Sequence, residues 1–251
     1  MTSHCFVPAK GRISCIICAF NEAARIGAVL EAVSGHPLLA EVIVVDDGSS
    51  DATAEIVRGF PSVKLISYHE NRGKSFAMAT GIAVAQSDLL MLLDADLSGL
   101  TVEHVSALAA PVLSGAADIS LSLRQNSLLL FRAIGLDFVS GERVLKKELL
   151  SAALEQMHRL PRFGIEVFMN RRIIERQLSI AVTRWPQVTQ ARKSEKIGYW
   201  KGVRAEWRML ADLLHTAYPL ELISQQYHLC SLCANPPRMS FQRWRKSRQA
   251  A

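Results

Sequence analysis

No stretch of this 251-residue chain reaches the ~18 uninterrupted apolar residues that a membrane span requires, so the sequence does not describe a bilayer-crossing protein. It also lacks a Gly/Ser linker and an internal repeat, which leaves one continuous domain with a C-terminal helical extension as the simplest organisation. No small-residue cleavage site follows the early apolar run Ile13 to Phe20, where Asn21, Glu22 and Arg25 come at once, and the expectation is a cytoplasmic protein. Cysteine is sparse and odd in number, five in all, which argues against a disulfide framework. Two C-x-x-C pairs, Cys15/Cys18 and Cys230/Cys233, invite a zinc reading. The first lies in a β-branched run that reads as a strand, where residues three apart point to opposite faces and cannot grip one ion together.

Acid is missing from the end of the chain. Residues 222 to 251 contain no Asp or Glu, while Arg238, Arg243, Arg245, Lys246 and Arg248 supply five of the formal net charge of +6. The remainder is nearly neutral, which argues against a nucleic-acid groove across the surface and for a local contact made by the tail. Val203, Trp207, Leu210 and Leu214 recur with helical spacing just before it. They read as a helix packed on the core, or, with Phe241, Trp244 and the basic tail, as a peripheral contact with the inner face of a membrane.

What the chain does have, from residue 12 to about 123, is a regular alternation of short apolar runs with amphipathic stretches. Strands are predicted at Ile13 to Cys18, Glu41 to Val45, Lys64 to Tyr68, Leu89 to Leu93 and Asp118 to Leu123, with helices at roughly 22 to 34, 51 to 59, 73 to 85 and 101 to 113. The alternation predicts an α/β fold, a Rossmann-like, mostly parallel sheet flanked by helices. Ligands of such sheets bind outside the carboxyl ends of the strands. Polar groups fall there four times: Asn21-Glu22, Asp46-Asp47-Gly48-Ser49, Asn71-Arg72-Gly73-Lys74 and Asp94-Ala95-Asp96. After residue 124 the pattern reads as mostly helical, with a loop at Ser140-Gly141-Glu142, a helix after Gly164 and a β-branched run at Ile180 to Thr183.

Each cluster has a structural reading and a chemical one. Asp94 and Asp96 are a solvated turn, or hard oxygen ligands for a Mg²⁺ or Mn²⁺ ion shared with a diphosphate. Asp46-Asp47-Gly48-Ser49 is a turn and helix cap, or a set of acceptors for a nucleotide base and ribose. Asn71-Arg72-Gly73-Lys74 is a Gly turn with a solvated lysine, or a phosphate site at a helix start. Together they would hold base, sugar, diphosphate and metal in chain order.

These residues resemble the family 2 glycosyltransferases of the GT-A fold. Ala19-Phe20-Asn21-Glu22 is similar to the family's A-Y-N-E, Val44-Val45-Asp46-Asp47-Gly48-Ser49-Ser50-Asp51-Ala52-Thr53 to its V-V-D-D-G-S-x-D-x-T, Asn71-Arg72-Gly73-Lys74 to its N-x-G-K, and Asp94-Ala95-Asp96 to its metal-binding D-x-D. The resemblance implies that Cys18, Phe20 and Glu22 line the pocket of a UDP- or GDP-sugar, that Asp47 meets the base, that Lys74 faces the diphosphate, and that Asp94 and Asp96 hold the metal. Phe20 keeps the aromatic face of the usual tyrosine and loses its hydroxyl. In this view residues 1–200 are the GT-A domain, with a nucleotide-sugar half at 12–123 and an acceptor half at 124–200, and residues 201–251 are the extension.

The second half resembles, more loosely, polyprenyl-phosphate glycosyltransferases and glucosyl-phosphoglycerate synthases. Ser122-Leu123-Arg124 is similar to a phosphate-facing S-x-R, Ser140-Gly141-Glu142 to an S-G-E acceptor loop, Gly164-Ile165-Glu166 to a G-x-E helix start, and Arg192-Lys193-Ser194-Glu195-Lys196 to a mobile basic loop that closes over phosphate. The resemblance implies a polyprenyl phosphate or other phosphate-bearing acceptor, with Arg124, Arg192 and Lys196 facing phosphate. Where the phosphoglycerate enzymes carry a histidine metal ligand, between Thr183 and Val188, this sequence has Arg184-Trp185-Pro186-Gln187.

Inverting transfer to a hydroxyl needs a base, and the candidate carboxylates are Glu142 and Glu166; an anionic phosphate acceptor needs none, and they would then orient groups. Asp96, with Asp94 and Lys74, would stabilise the departing diphosphate. The structural alternative for Glu142 is an ion pair with Arg143 or Lys147. Competing functions are fewer. A haloacid dehalogenase-type phosphatase would carry its D-x-D on the first strand, not the fourth, and a nucleotidyltransferase would show a Gly-rich, Arg-containing loop after strand one. A non-catalytic nucleotide-sugar-binding scaffold remains as the alternative.

Overall fold

The computed structural model describes residues 13–127, 129–160, 164–190 and 219–234. A seven-stranded sheet runs in the order β3-β2-β1-β4-β7-β6-β8. Its strands are β1 (Ile13–Ala19), β2 (Leu39–Asp46), β3 (Val63–Ser67), β4 (Leu89–Asp94), β6 (Ile119–Arg124), β7 (Arg143–Lys146) and β8 (Ile180–Trp185). β1 pairs in parallel with β2 and β4, and β2 with β3; β6 and β8 are parallel to each other. β7 alone is antiparallel to both of its neighbours, β4 and β6. A two-residue ribbon of β5 (Leu97–Ser98) and β9 (Thr189–Gln190) stands apart from the sheet.

Strand alternation divides the interior into two cores. Ile13, Cys15 and Ile17 of β1 join Met91 and Leu93 of β4 against α1 (Ile26–Val33) and α4 (Val102–Leu113). Ile16 and Cys18 face the other way with Leu90 and Leu92, toward α3 (Lys74–Val84) and α8 (Gly164–Glu175). The two cysteines thus belong to opposite faces, as the strand period requires. Burial pushes the Cys18 thiol up to about 12, and the Cys15 thiol is raised by the same cause.

The predicted strands and helices of the first half are present with ends shifted by a few residues. The first helix starts at Ile26 and not at residue 22 because the intervening backbone is held by another loop. The Asn21 N–H donates to Ser49 Oγ at 2.9 Å, that of Glu22 to Thr53 Oγ1 at 2.8 Å and that of Ala23 to Asp51 Oδ2 at 3.1 Å. In the second half α5 (Leu129–Ile134), α6 (Glu148–Ser151) and α7 (Leu154–His158) are short. Between them the sheet receives β7, which the sequence reading passed over as part of a helical region. Four residues, two of them basic, offer little periodicity; Arg143 is wholly buried there, between Leu92 and Leu121 on the flanking strands. The last described helix, α9 (Pro219–Ser231), packs on α8 and buries Leu229, and the chain after it meets the start of β8 through Ile180 N–H to Leu232 O at 2.9 Å. Within the described residues no helix is long and apolar enough to cross a membrane. The expected helix around Trp207 and the basic tail lie outside the described residues.

Candidate functional site

Strand register brings the polar clusters together. Ala19 is level with Asp46 and Cys18 with Asp94, so β1, β2 and β4 release their chains at one rim. On the β2 side, the carboxylates are satisfied by backbone. Asp47, buried, accepts the N–H groups of Arg72 and Gly73 at 2.8 and 2.7 Å, and Asp46 accepts from Ser49 N–H and Ser67 Oγ at 3.2 and 2.8 Å. Gly48 makes this approach feasible. Its φ is +75°, and a Cβ there would lie 2.6 Å from the Glu70 carbonyl carbon.

On the β4 side, charges meet charges. Lys74, at the start of α3, donates from Nζ to Asp94 Oδ1 at 2.8 Å and to Glu166 Oε1 at 2.9 Å. Burial works against the ammonium, but the Asp94 and Glu166 carboxylates outweigh it and hold Lys74 well above its ordinary pKa. Asp94 is likewise desolvated, yet Lys74 and Arg124 keep its carboxyl below the usual range. Arg124, buried at the end of β6, donates to Glu142 Oε1 at 2.5 Å and lies 3.6 Å from Asp137 Oδ2 and 3.9 Å from Asp94 Oδ2. Burial raises the Asp137 carboxyl and Arg124 only partly offsets it. Glu142 is fully buried, and its second oxygen accepts from Ser122 Oγ at 2.7 Å and Ser140 Oγ at 2.6 Å. Its partner is therefore Arg124, not Arg143 or Lys147, because β7 carries Glu142 in beside the end of β6. Arg143 donates instead to Asn170 Oδ1 at 3.3 Å and to the carbonyl of Ser140.

Whether the Asp94–Asp96 end suits a divalent cation is decided by its donors. Among the described residues, Asp94, Asp96, Asp137, Glu142 and Glu166 stand with Lys74, Arg124 and Arg143, and the buried Glu166 Oε2 has no hydrogen-bond partner. An amide nitrogen, Gln190 Nε2, stands 3.0 Å from both Asp94 Oδ2 and Asp96 Oδ1. Two hard carboxylates facing one point, beside an unpartnered carboxylate oxygen of Glu166, fit such an ion.

The model of glycosyl transferase family 2 matches residues 14–126 of the chain. Over that stretch the chain is similar to the family 2 glycosyl transferases. The stretch holds the four motifs, from Asn21-Glu22 to Asp94-Ala95-Asp96, and ends just beyond Arg124. The chain is also similar in part to curated relatives. One is 4,4'-diaponeurosporenoate glycosyltransferase of Staphylococcus haemolyticus, 40% identical over 97 residues, which are 37% of this chain and 26% of the relative. Another is a dolichyl-phosphate beta-glucosyltransferase of Trichomonas vaginalis, 33% identical over 104 residues, 36% of this chain and 31% of the relative. The match spans about a quarter to a third of the length of these relatives. Among solved structures, glucosyl-3-phosphoglycerate synthase of Mycobacterium tuberculosis, in complex with Mn²⁺, UDP-glucose and phosphoglyceric acid, superposes with a TM-score of 0.62 at 23% identity, covering 83% of this chain and 80% of that one. The fold is thus the GT-A arrangement of a mostly parallel sheet flanked by helices.

Of the residues singled out in the sequence, the structure gathers Lys74, Asp94, Asp96, Arg124, Glu142 and Glu166 into one network with Cys18, whose thiol feels the charges of Lys74, Asp94, Asp47 and Glu166. Phe20 is exposed at the rim, and Glu22 pairs with Arg25 at 3.5 Å. Asp47 stands in the loop network of the matched stretch, bound to backbone. Arg192 and Lys196 lie outside the described residues. Sequence reasoning did not single out Gln190, Asn170 or the stapling roles of Asn21 and Asp51. The last two stand inside a recognised motif; Gln190 and Asn170 stand in none.

Proposed function

We propose that this chain transfers a glycosyl group from a nucleoside-diphosphate sugar to a phosphate-bearing acceptor. The observation that carries the reading is the convergence of Asp94, Asp96, Lys74 and Arg124 at the strand ends, beside the carboxylates of Glu142 and Glu166. Cys18, Phe20, Glu22 and Asp47 would line the nucleoside side. Asp94 and Asp96 would hold a Mg²⁺ or Mn²⁺ ion, which when bound neutralises charge developing on the departing diphosphate. Lys74 would share that load from the α3 N-terminus.

The environment of Glu142 supports a phosphate acceptor. Both of its oxygens are engaged and it is sealed from solvent, so it is a positioning residue for Arg124, not a base able to take a proton from a hydroxyl. A phosphate is already anionic and needs no base. Dolichyl phosphate and phosphoglyceric acid, which appear in the names of the relative and of the solved complex, share that chemistry. A polyprenyl phosphate would also give a purpose to the basic tail, as a peripheral membrane contact.

The test is a thermal-shift panel of UDP-, GDP- and dTDP-sugars with and without Mn²⁺, followed by transfer assays to undecaprenyl phosphate and to 3-phosphoglycerate. A ligand at 100 times its dissociation constant stabilises by ~2.7 kcal/mol. A Mn²⁺-dependent shift selective for one nucleotide, abolished in Asp96→Ala, is expected, together with turnover on one acceptor. Binding without turnover on any acceptor would leave a nucleotide-sugar-binding scaffold in its place, and absence of any shift would end the reading.

A further inference from the structure

Gln190 belongs to none of the sequence motifs, yet its side chain meets both carboxylates of the Asp94-Ala95-Asp96 turn at 3.0 Å. Its backbone is fixed from two sides. It pairs with Leu97 in the β5–β9 ribbon, which starts one residue after Asp96, and Asn126 clamps it by accepting from Gln190 N–H at 3.1 Å and donating Nδ2 to the Gln190 carbonyl at 2.6 Å. Position 190 is thereby tied to the strand end that carries the acidic pair.

A nitrogen equidistant from two carboxylate oxygens stands where positive charge is most favoured, but an amide brings only a partial charge to that point. Among the described residues no three His, Cys, Asp or Glu side chains form a metal-holding group, so a third protein donor to the acidic pair from within them is of another type. The segment Thr183 to Val188 offers no histidine. Gln190 carries a hard oxygen at the other end of the same amide, and the terminal torsion of glutamine is broad and roughly two-fold, so a half-turn exchanges Nε2 for Oε1 at little cost.

We propose that Gln190 is the third protein ligand of the divalent cation at Asp94 and Asp96. Without metal its Nε2 bridges the two carboxylates; with metal the amide turns over and Oε1 joins them on the ion. This rests on the metal-dependent reading above. It also makes the ribbon a part of the metal site, not a mere connection.

Mn²⁺ binding is measured by loss of the free-ion electron paramagnetic resonance signal, for protein alone and with UDP or GDP. Wild type binds and Asp96→Ala does not. Gln190→Ala weakens binding about tenfold or more, since even outer-shell partners of a metal are worth 10- to 100-fold. Gln190→Glu, of equal length, binds at least as tightly as wild type. Gln190→His adds a directly bonded ¹⁴N coupling in the electron spin echo of bound Mn²⁺ that the wild type lacks, a signature that a merely structural role would not produce. Wild-type affinity in Gln190→Ala, or Mn²⁺ bound to Gln190→His with no nitrogen coupling, would overturn the proposal while the metal reading stands. A wild type that binds no Mn²⁺ under any of these conditions overturns both.

Discussion

The β2 side and the β4 side of the rim solve the same problem, buried carboxylates, in opposite ways. Asp46 and Asp47, with the exposed Asp51 beside them, direct their oxygens at backbone N–H groups and hydroxyls of neighbouring loops, so each is satisfied locally. Asp94, Glu142 and Glu166 are instead met by two cations, Lys74 and Arg124, across elements far apart in sequence. The first arrangement tolerates the loss of one partner. The second does not, because removing one ion strands another in low dielectric.

Arg124→Met tests this most severely. It leaves Glu142 and Asp137 without their cation, and a loss of about 3–5 kcal/mol is expected in urea denaturation. Gly141→Ala comes next. Its Cβ would sit 2.6 Å from Asp94 Oδ1, so Asp94 must leave Lys74 and Gln190, with about 1–3 kcal/mol lost. Mn²⁺ binding should vanish with it; retention of full Mn²⁺ affinity would show that Asp94 is less constrained than the geometry requires. Asp47→Asn, on the other side of the rim, swaps one acceptor for a donor facing a backbone N–H and should cost about 1–2 kcal/mol. A loss as large as that of Arg124→Met would erase the contrast between the two sides.

The smallest effect carries the comparison to the opposite end of the sheet. Asp118 accepts from Ser179 Oγ and N–H at 2.6 and 2.9 Å, and these bonds hold its carboxyl below the ordinary value. A carboxyl depressed in the fold stabilises above its unfolded pKa of about 3.9, and that contribution is lost as pH falls through the folded value. Asp118 is largely solvated, so Asp118→Asn should cost no more than about 1 kcal/mol at pH 7. The difference from wild type should stay level between pH 5 and 8 and close below about pH 4. A difference that persisted at pH 2.5 would mean the bonds do not depend on the charge.

The contrast also explains what could be read from the residues alone. Strand runs such as Val42 to Val45, the turn at Gly48 and the acids after β2 and β4 are local signals, and they located the sheet and its rim. Asp51 and Asn21 were seen as motif residues, but their bonds run between loops separated by almost thirty positions, which spacing does not reveal. β7 was missed because its burial comes from its neighbours and not from its own four residues. The pairing of Glu142 with Arg124 follows from that insertion, and so went unseen with it. Gln190 had no local signal at all: a glutamine beside a loop acquires meaning only once the β5–β9 ribbon folds back on Asp96.

The placement of β7 has a bearing on how the molecule comes to exist. β4 ends at Asp94, and the strand that must lie against it does not begin until Arg143, after β6 has been made. As the chain emerges from the ribosome, β3-β2-β1-β4 can assemble from consecutive βα units, but β4 is an unpaired edge for nearly fifty residues of synthesis, with β6 waiting for the same wedge. The β3-β2-β1-β4 half can therefore form before β7, the strand that joins it to β6 and brings Glu142 to Arg124. Pulse-labelled hydrogen exchange during refolding should find the amides shared by β1 and β2 protected before those between β4 and β7, so that the two halves of the sheet join in a single late closing event.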